Sequence, residues 1–306
     1  MIIIASLGVY FYPNIREWKT QQEVNQIMAR FENNFKTDDS DKDDSDSSED
    51  ENSSSDGEVK NFVELHKEME EYNQRLITEG QHIEDAWSYE QPPLTLKNMP
   101  GKDYTIGYIE IPDMKVKLPL LLGASMDNLS KGAAVLSETS MPIGGTDTNC
   151  VIAGHRGWKG SAYFQRIENL KEGSEVYITN PWETMIYKVV STKVVNPDDS
   201  DAILLQPGKD MVTLISCHPY VLGGGKYRYV VYCERAGTEN REKATQMKNP
   251  SVKETKDESV KVPEEELEAS NELLKWEEYL RKYLPIATIG LSVLIILIRS
   301  LKKKKD

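Results

Sequence analysis

Cysteine is scarce in this sequence. Cys150, Cys217 and Cys233 are the only three among 306 residues. So small and odd a number excludes a disulfide framework as the basis of the fold, and no Cys/His spacing matches a zinc site. No basic patch interrupts the body of the chain, and the one basic cluster, Lys302–Lys305, stands at its C-terminal end. That argues against a nucleic-acid partner. No internal repeat is present, which excludes a solenoid or propeller. No uncharged apolar run reaches the roughly 20 residues of an upright membrane span.

Acidic charge is abundant but local. The net charge is −13, yet residues 38–58 (DDSDKDDSDSSEDENSSSDGE) hold eleven Asp and Glu against one Lys, a net of −10. The remaining −3 is ordinary and says nothing about the substrate. A Ser-rich acidic tract without aromatics buries too little apolar surface to offset its ordering entropy, so it reads as a disordered spacer.

Two apolar stretches stand near the ends. Leu284–Ile298 is uncharged, about 15 residues long, and followed closely by Lys302–Lys305. With Tyr283 included and Arg299 snorkelling, this reads as a membrane helix whose basic end is cytoplasmic. The first 13 residues, MIIIASLGVYFYP, lack the basic start of a signal peptide and read either as the truncated end of a longer signal-anchor or as an anchor in their own right. The expected organisation is therefore an apolar segment at 1–13, a helix-like segment at 14–37 and the acidic spacer at 38–58. A helix and its extension follow at 59–103, then a compact domain at 104–236. A charged linker at 237–262, an amphipathic helix at 263–282, a transmembrane helix at 283–299 and a basic tail at 300–306 complete the chain.

Within 59–80, Phe62, Leu65, Met69 and Tyr72 recur at helical spacing, and Gly80 provides a stop. From about 104 the pattern changes to short β-branched runs between Gly, Pro, Asn and Asp turns: IGYIEIP, KVKLPLL, CVIAGH, EVYITN, MIYKVVSTKVV, MVTLISC and YRYVVYCER. Such spacing predicts a mainly β barrel or sandwich, with one short helix at Ser161–Leu170.

Three of these runs carry residues with chemistry to offer at one of their ends. Cys217 closes MVTLISC, where HPY breaks the strand; a thiol at a strand's end can be presented to a groove. Cys150 and Cys233 sit inside apolar runs and read as small buried hydrophobes, although a bridge between them is conceivable. His155 closes CVIAGH between Gly154 and Gly157, which permit close approach. It is the best acid–base partner by elimination. His66 and His82 lie outside the strand-rich region, and His218 adjoins Cys217 and so points to the opposite face. Arg228 opens YRYVVYCER, eleven residues after Cys217 on the far side of a Gly-rich loop. A permanent cation there suits a developing oxyanion. Arg156, Arg166 and Arg235 remain rivals for that role, and no Asp or Asn is evident as an orienter for the histidine.

TLISC (213–217), GHRG (154–157) and an arginine opening the next strand together resemble the sortase family of cysteine transpeptidases, with Ser216 in place of the usual Thr. IGYIEIP, KLPLLLGAS, GGTDTNCVIAGHRG, LKEGSEVYI and PGKDMVTLISCHPY resemble sortase segments in the same order, over about 104–235. The resemblance implies an eight-stranded β-barrel with short helices and a groove, no cofactor, and catalysis by Cys217, His155 and Arg228. Ser216 and Tyr220 would be groove residues.

Among sortases the chain is most like class C, the pilus-assembly group, whose lid carries an Asp-Pro-Phe/Trp motif. In IEDAWSYEQPP (83–93) Asp85 and Trp87 match that motif and Ala86 replaces its proline. The resemblance would set Asp85 on Arg228 and Trp87 over Cys217. HPYVLGGGKYR departs from the Cys-Thr-Pro-Tyr form common in pilus sortases. The implied partners are proteins with an LPXTG-like sorting signal, an amine acceptor (a pilin lysine, or a cell-wall precursor in the housekeeping alternative) and the membrane, with the catalytic domain outside the cell. A membrane-bound cysteine protease and a non-catalytic surface scaffold are the competing classes.

Overall fold

A computed structural model describes residues 2–35, 55–83, 94, 96–99, 104–157, 161–221, 224–239 and 259–303. Eight strands close into a barrel: β1 (Thr105–Ile111), β2 (Val116–Leu122), β3 (Ala133–Val135), β4 (Thr148–Ala153), β5 (Glu175–Thr179), β6 (Thr184–Val195), β7 (Asp210–His218) and β8 (Tyr227–Glu239). Their order around the barrel is β1-β2-β3-β4-β7-β8-β6-β5. Only β2–β3 and β4–β7 pair in parallel; the other neighbours are antiparallel. The expected eight-stranded β-barrel is the fold observed.

The period-2 patterning of the runs is what closes it. Alternate residues point inward, so Ile109, Leu120, Cys150, Ile152, Val212, Leu214, Val231 and Cys233 fill one buried core. Residues of opposite parity, Val151 and Ile215 among them, build a second cluster outside the sheet with Ala124, Leu129, Ala134, Leu136 and Ile203. The barrel has no free edge along its length, which removes the usual route to edge-to-edge aggregation.

Among the described residues four α-helices accompany the strands: α1 (Ile2–Phe35), α2 (Ser55–Glu79), the short α3 (Met126–Lys131) and α4 (Glu264–Lys303). In α2 the helical spacing seen in the sequence is used directly. Leu65, Met69 and Leu76 are fully buried, and the first two join the barrel core. Polar groups lock α2 in place: Asn73 Oδ1 accepts from the Met141 N–H at 2.7 Å, and the Tyr72 hydroxyl accepts from the Glu138 N–H at 3.0 Å. The expected helix at Ser161–Leu170 shrinks to one 3-10 turn, Ile167–Asn169. Tyr163 has φ 42°, and the Gln165 carbonyl is taken by Arg156 Nε at 2.9 Å, so the local bonds of a longer helix are not available.

The expected terminal membrane segments are not borne out. Among the described residues, no helix is long and apolar enough to cross a membrane. The separate amphipathic and transmembrane helices expected at 263–282 and 283–299 are instead one continuous helix, α4. The physical reason is length: 15 uncharged residues rise only about 22 Å as α-helix, against a hydrocarbon core of about 30 Å. The N-terminal apolar run is shorter still and continues into the charged remainder of α1.

Ile109 is fully buried in the barrel core. Ile109→Ala is expected to cost about 2–5 kcal/mol of unfolding free energy, read as a lower denaturant midpoint at unchanged slope.

Candidate active site

The site follows from strand register. In the β7–β8 hairpin Cys217 lies directly opposite Arg228. On its other side β7 pairs in parallel with β4, and the ladder ends at Ala153 opposite Ile215. The chain does not leave β7 there. The Gly154 N–H donates to the Ile215 carbonyl at 3.1 Å, and Ser216 Oγ donates to the Gly154 carbonyl at 2.8 Å. His155 follows two residues after Ala153, beyond the last ladder pair. The Cys217–Arg228 cross-strand pair and the His155 loop, held against β7 through Gly154, form a short row at this end of the sheet.

Close packing fixes this row. A Cβ at Gly154 would fall 2.6 Å from the Phe164 ring, so only glycine lets the strand pass beneath it. A Cβ at Gly225 would fall 2.3 Å from the His218 backbone, which holds the Gly-rich loop against the end of β7. The His155 carbonyl accepts from the Gly157 and Phe164 N–H groups at 2.8 and 2.9 Å. Arg228 Nη1 donates to the Gly225 and Tyr227 carbonyls at 3.2 and 3.0 Å, tying the guanidinium to the same loop. Burial lowers the His155 pKa below its ordinary 6.5, favouring the neutral imidazole.

The opposite parity builds a different arrangement on the other side of β7. His218 and Arg156 are both buried there around Glu168. Glu168 Oε1 lies 2.7 Å from His218 Nδ1 and 2.8 Å from Arg156 Nη2. Arg156 Nη1 also donates to the Cys217 carbonyl at 3.0 Å. Burial of Glu168 opposes its charge, but the His218 hydrogen bond and the Arg156 guanidinium outweigh it and hold the carboxyl down at about 2. Glu168 carried no signal in the sequence; it is one acidic residue in a turn that spacing assigned to a helix.

The remaining expected residues fall as follows. Ser216 is buried and spends its hydroxyl on Gly154, so it braces β7 against the His155 loop rather than lining a groove. The Tyr220 hydroxyl donates to Glu277 Oε1 of α4 at 2.6 Å; burial first, and then that carboxylate, push it up to about 12. Asp85 and Trp87 lie outside the described residues. Of the rival arginines, Arg156 is engaged beneath the sheet. Arg235 lies toward the start of β7, held by Asp210, Glu183 and Tyr187. His66 meets Trp182 edge-on at 4.6 Å, and His82 is exposed. Cys150 and Cys233 are buried thiols, not a disulfide, and burial pushes both well up. Among the described residues no group of His, Cys, Asp and Glu is arranged to hold a metal ion.

The sortase domain model matches residues 109–236. Sortase A of Bacillus anthracis is 33% identical over 156 residues, covering 50% of this chain and 71% of that protein. The chain belongs to the sortase family. Sortase D of Bacillus subtilis is 31% identical over 132 residues, 42% of this chain and 63% of the relative, so the match spans somewhat under two thirds of that sortase's length. Among solved structures, a pilus-related sortase C of Group B Streptococcus superposes with a TM-score of 0.51 at 32% identity, covering 58% of this sortase and 90% of that chain. Sortase C-1 of Streptococcus pneumoniae does so with a TM-score of 0.56 at 29% identity, covering 69% and 97%. In structure this sortase is most like class C.

Two pH effects follow from this geometry. Glu168 has a folded-state pKa below its ordinary 4.5, so its contribution to stability is fully present above that pH and is lost as pH falls toward about 2. Glu168→Gln is therefore expected to unfold more readily at neutral pH and to lose less stability on acidification, read by thermal melts from pH 7 to 3. In Cys217→Ala, the His155 imidazole is expected to titrate below 6.5 by NMR.

Proposed function

We propose that this sortase is a cell-surface cysteine transpeptidase that cleaves an LPXTG-like sorting signal between Thr and Gly and joins the new acyl group to an amine. The observation that carries this reading is the Cys217–Arg228 cross-strand pair on β7 and β8, with the His155 loop bonded to β7 just past the end of β4. The Cys217 thiolate attacks the Thr carbonyl carbon, and the carbonyl π pair moves onto oxygen. The Arg228 guanidinium stabilises that oxyanion. As the tetrahedral centre collapses, the C–N bond breaks and protonated His155 delivers its proton to the leaving amine. The thioacyl enzyme is then resolved by an incoming amine, which loses a proton to neutral His155 and returns Cys217 to its starting state.

A neutral imidazole is the favoured resting form of His155, because burial penalises its charge. The ion pair needed for attack is then a minority state drawn on in each turnover. No cofactor enters the scheme.

The likeness to pilus-related sortase C favours a pilin lysine as acceptor. The relation to Bacillus anthracis sortase A supports a second reading, in which a cell-wall precursor supplies the amine. We place Asp85 and Trp87 in a lid. Ile83, the last described residue before this segment, packs against the outer cluster of which Ile215 is a member, which supports that reading.

Peptides bearing an LPXTG-like signal, incubated with the enzyme and with lysine-containing or wall-precursor amines, decide between the two acceptors. Cys217→Ala is expected to abolish cleavage. Arg228→Ala is expected to lower kcat by about 10²-fold or more; retained cleavage in both variants would sink the mechanism. Trp87→Ala is expected to speed alkylation of Cys217, and an unchanged rate would argue against the lid.

A further inference from the structure

The C-terminal helix does more than leave the barrel. Two residues on one face of α4, Ser270 and Glu277, grip the chain just past Cys217. Ser270 is buried, and its Oγ accepts from the Tyr220 N–H at 3.0 Å. Glu277, seven residues and so about two turns further on, takes the hydroxyl of the same Tyr220 on Oε1 at 2.6 Å. Its other oxygen accepts from Gln165 Nε2 at 2.8 Å. One carboxylate thus joins two loops that come from distant parts of the sequence.

Those loops are the ones that hold the reactive row. Tyr220 lies three residues past Cys217. Gln165 follows Phe164, whose N–H donates to the His155 carbonyl and whose ring sits against Gly154. The Gln165 carbonyl accepts from Arg156 Nε at 2.9 Å, and Arg156 donates onward to the Cys217 carbonyl. The path from α4 to the backbone of both His155 and Cys217 is continuous and made of direct hydrogen bonds. Charge-assisted bonds such as those of Glu277 are about twice as strong as neutral ones. Strand pairing alone holds His155 less firmly, since the β4–β7 ladder ends two residues before it.

We propose that Glu277 is a positioning residue of the transpeptidation centre: through Tyr220 and Gln165 it fixes the Cys217 and His155 loops relative to each other. This rests on the reading of Cys217 and His155 as nucleophile and acid–base residue. The polar contacts of Glu277 are to Tyr220 and Gln165 rather than to the thiol or the imidazole. The helix acts by holding the thiol and imidazole within transfer distance, and misplacement on the scale of 1 Å is worth about 10²-fold in rate.

The test compares the full chain with its Glu277→Ala, Glu277→Gln and Tyr220→Phe variants on an LPXTG-type peptide with an amine acceptor. Melting temperature and the rate of Cys217 alkylation by iodoacetamide are measured alongside. The expected result is a fall in kcat of about 10- to 100-fold in Glu277→Ala, with KM and alkylation rate within about twofold of wild type. Glu277→Gln keeps an acceptor for Tyr220 and is expected to recover part of the loss. A kcat within twofold of wild type, or a loss confined to KM, overturns the proposal. Should Glu277→Ala fail to fold, Tyr220→Phe, which removes one hydroxyl, decides in the same way. Cys217→Ala separates the two levels: its continued activity would sink the underlying reading, whereas a dead Cys217→Ala beside a fast Glu277→Ala would sink this proposal alone.

Discussion

The parallel pairing of β4 with β7 is the constraint on which the site depends. Antiparallel neighbours such as β7 and β8 are joined by a short connection that fixes their register. β4 and β7 have no such connection; β5 and β6 intervene in the sequence. Their register is set by what they bury, with Cys150 and Ile152 of one strand entering the same core as Val212 and Leu214 of the other. Because side chains alternate, a slip of one residue would send every one of them to the other face. His155 would then exchange sides with Arg156, and the row beside Cys217 would be lost. The Ser216–Gly154 and Gly154–Ile215 hydrogen bonds extend the correct register past the last ladder pair.

The same alternation separates two sets of charges that would otherwise interfere. A unit charge pair at 4 Å interacts with about 4 kcal/mol at an effective dielectric of 20, so a carboxylate beside Arg228 would cancel much of its pull on an oxyanion. Glu168 is kept away from it. It lies on the far side of β7 and spends its charge on Arg156 and His218. Arg156 can then brace the Cys217 carbonyl without competing for the thiol. One sheet thickness thus divides this hydrogen-bonded support from the Cys217–Arg228 pair.

The barrel was legible in the sequence because strand patterning and turn residues are local signals, and each strand-like run became a strand. The α2 face, Leu65, Met69 and Tyr72, was legible for the same reason. The His155–Cys217–Arg228 alignment was legible in part: parity excluded His218, but only the observed register separates Arg228 from Arg235, which stands at the other end of the sheet. Glu168, Gln165 and Glu277 were not legible, since their roles exist only after distant segments meet. The apolar ends misled for a quantitative reason. Their composition is that of a membrane helix, but the length of the uncharged run is not, and length decides whether the backbone's polar groups can be carried across hydrocarbon.

His218 shows how a departure from the family's form is absorbed. Pilus sortases commonly place threonine after the nucleophilic cysteine, and a threonine hydroxyl is neutral and short. The imidazole here reaches Glu168 from the strand side while Arg156 reaches it from the loop side, so one carboxylate clamps both segments. His218 also lies 5.5 Å from the Tyr229 ring, which belongs to β8 and pairs opposite Ser216. The substitution therefore adds a contact from the end of β7 to each of its flanking segments. In a site where the His155 loop lies beyond the last ladder pair, and Glu277 joins that loop to Tyr220 from α4, the support beneath Cys217 comes from the side chains around it. These contacts require a histidine at 218, an acid at 168 and a C-terminal helix docked where Ser270 and Glu277 meet Tyr220.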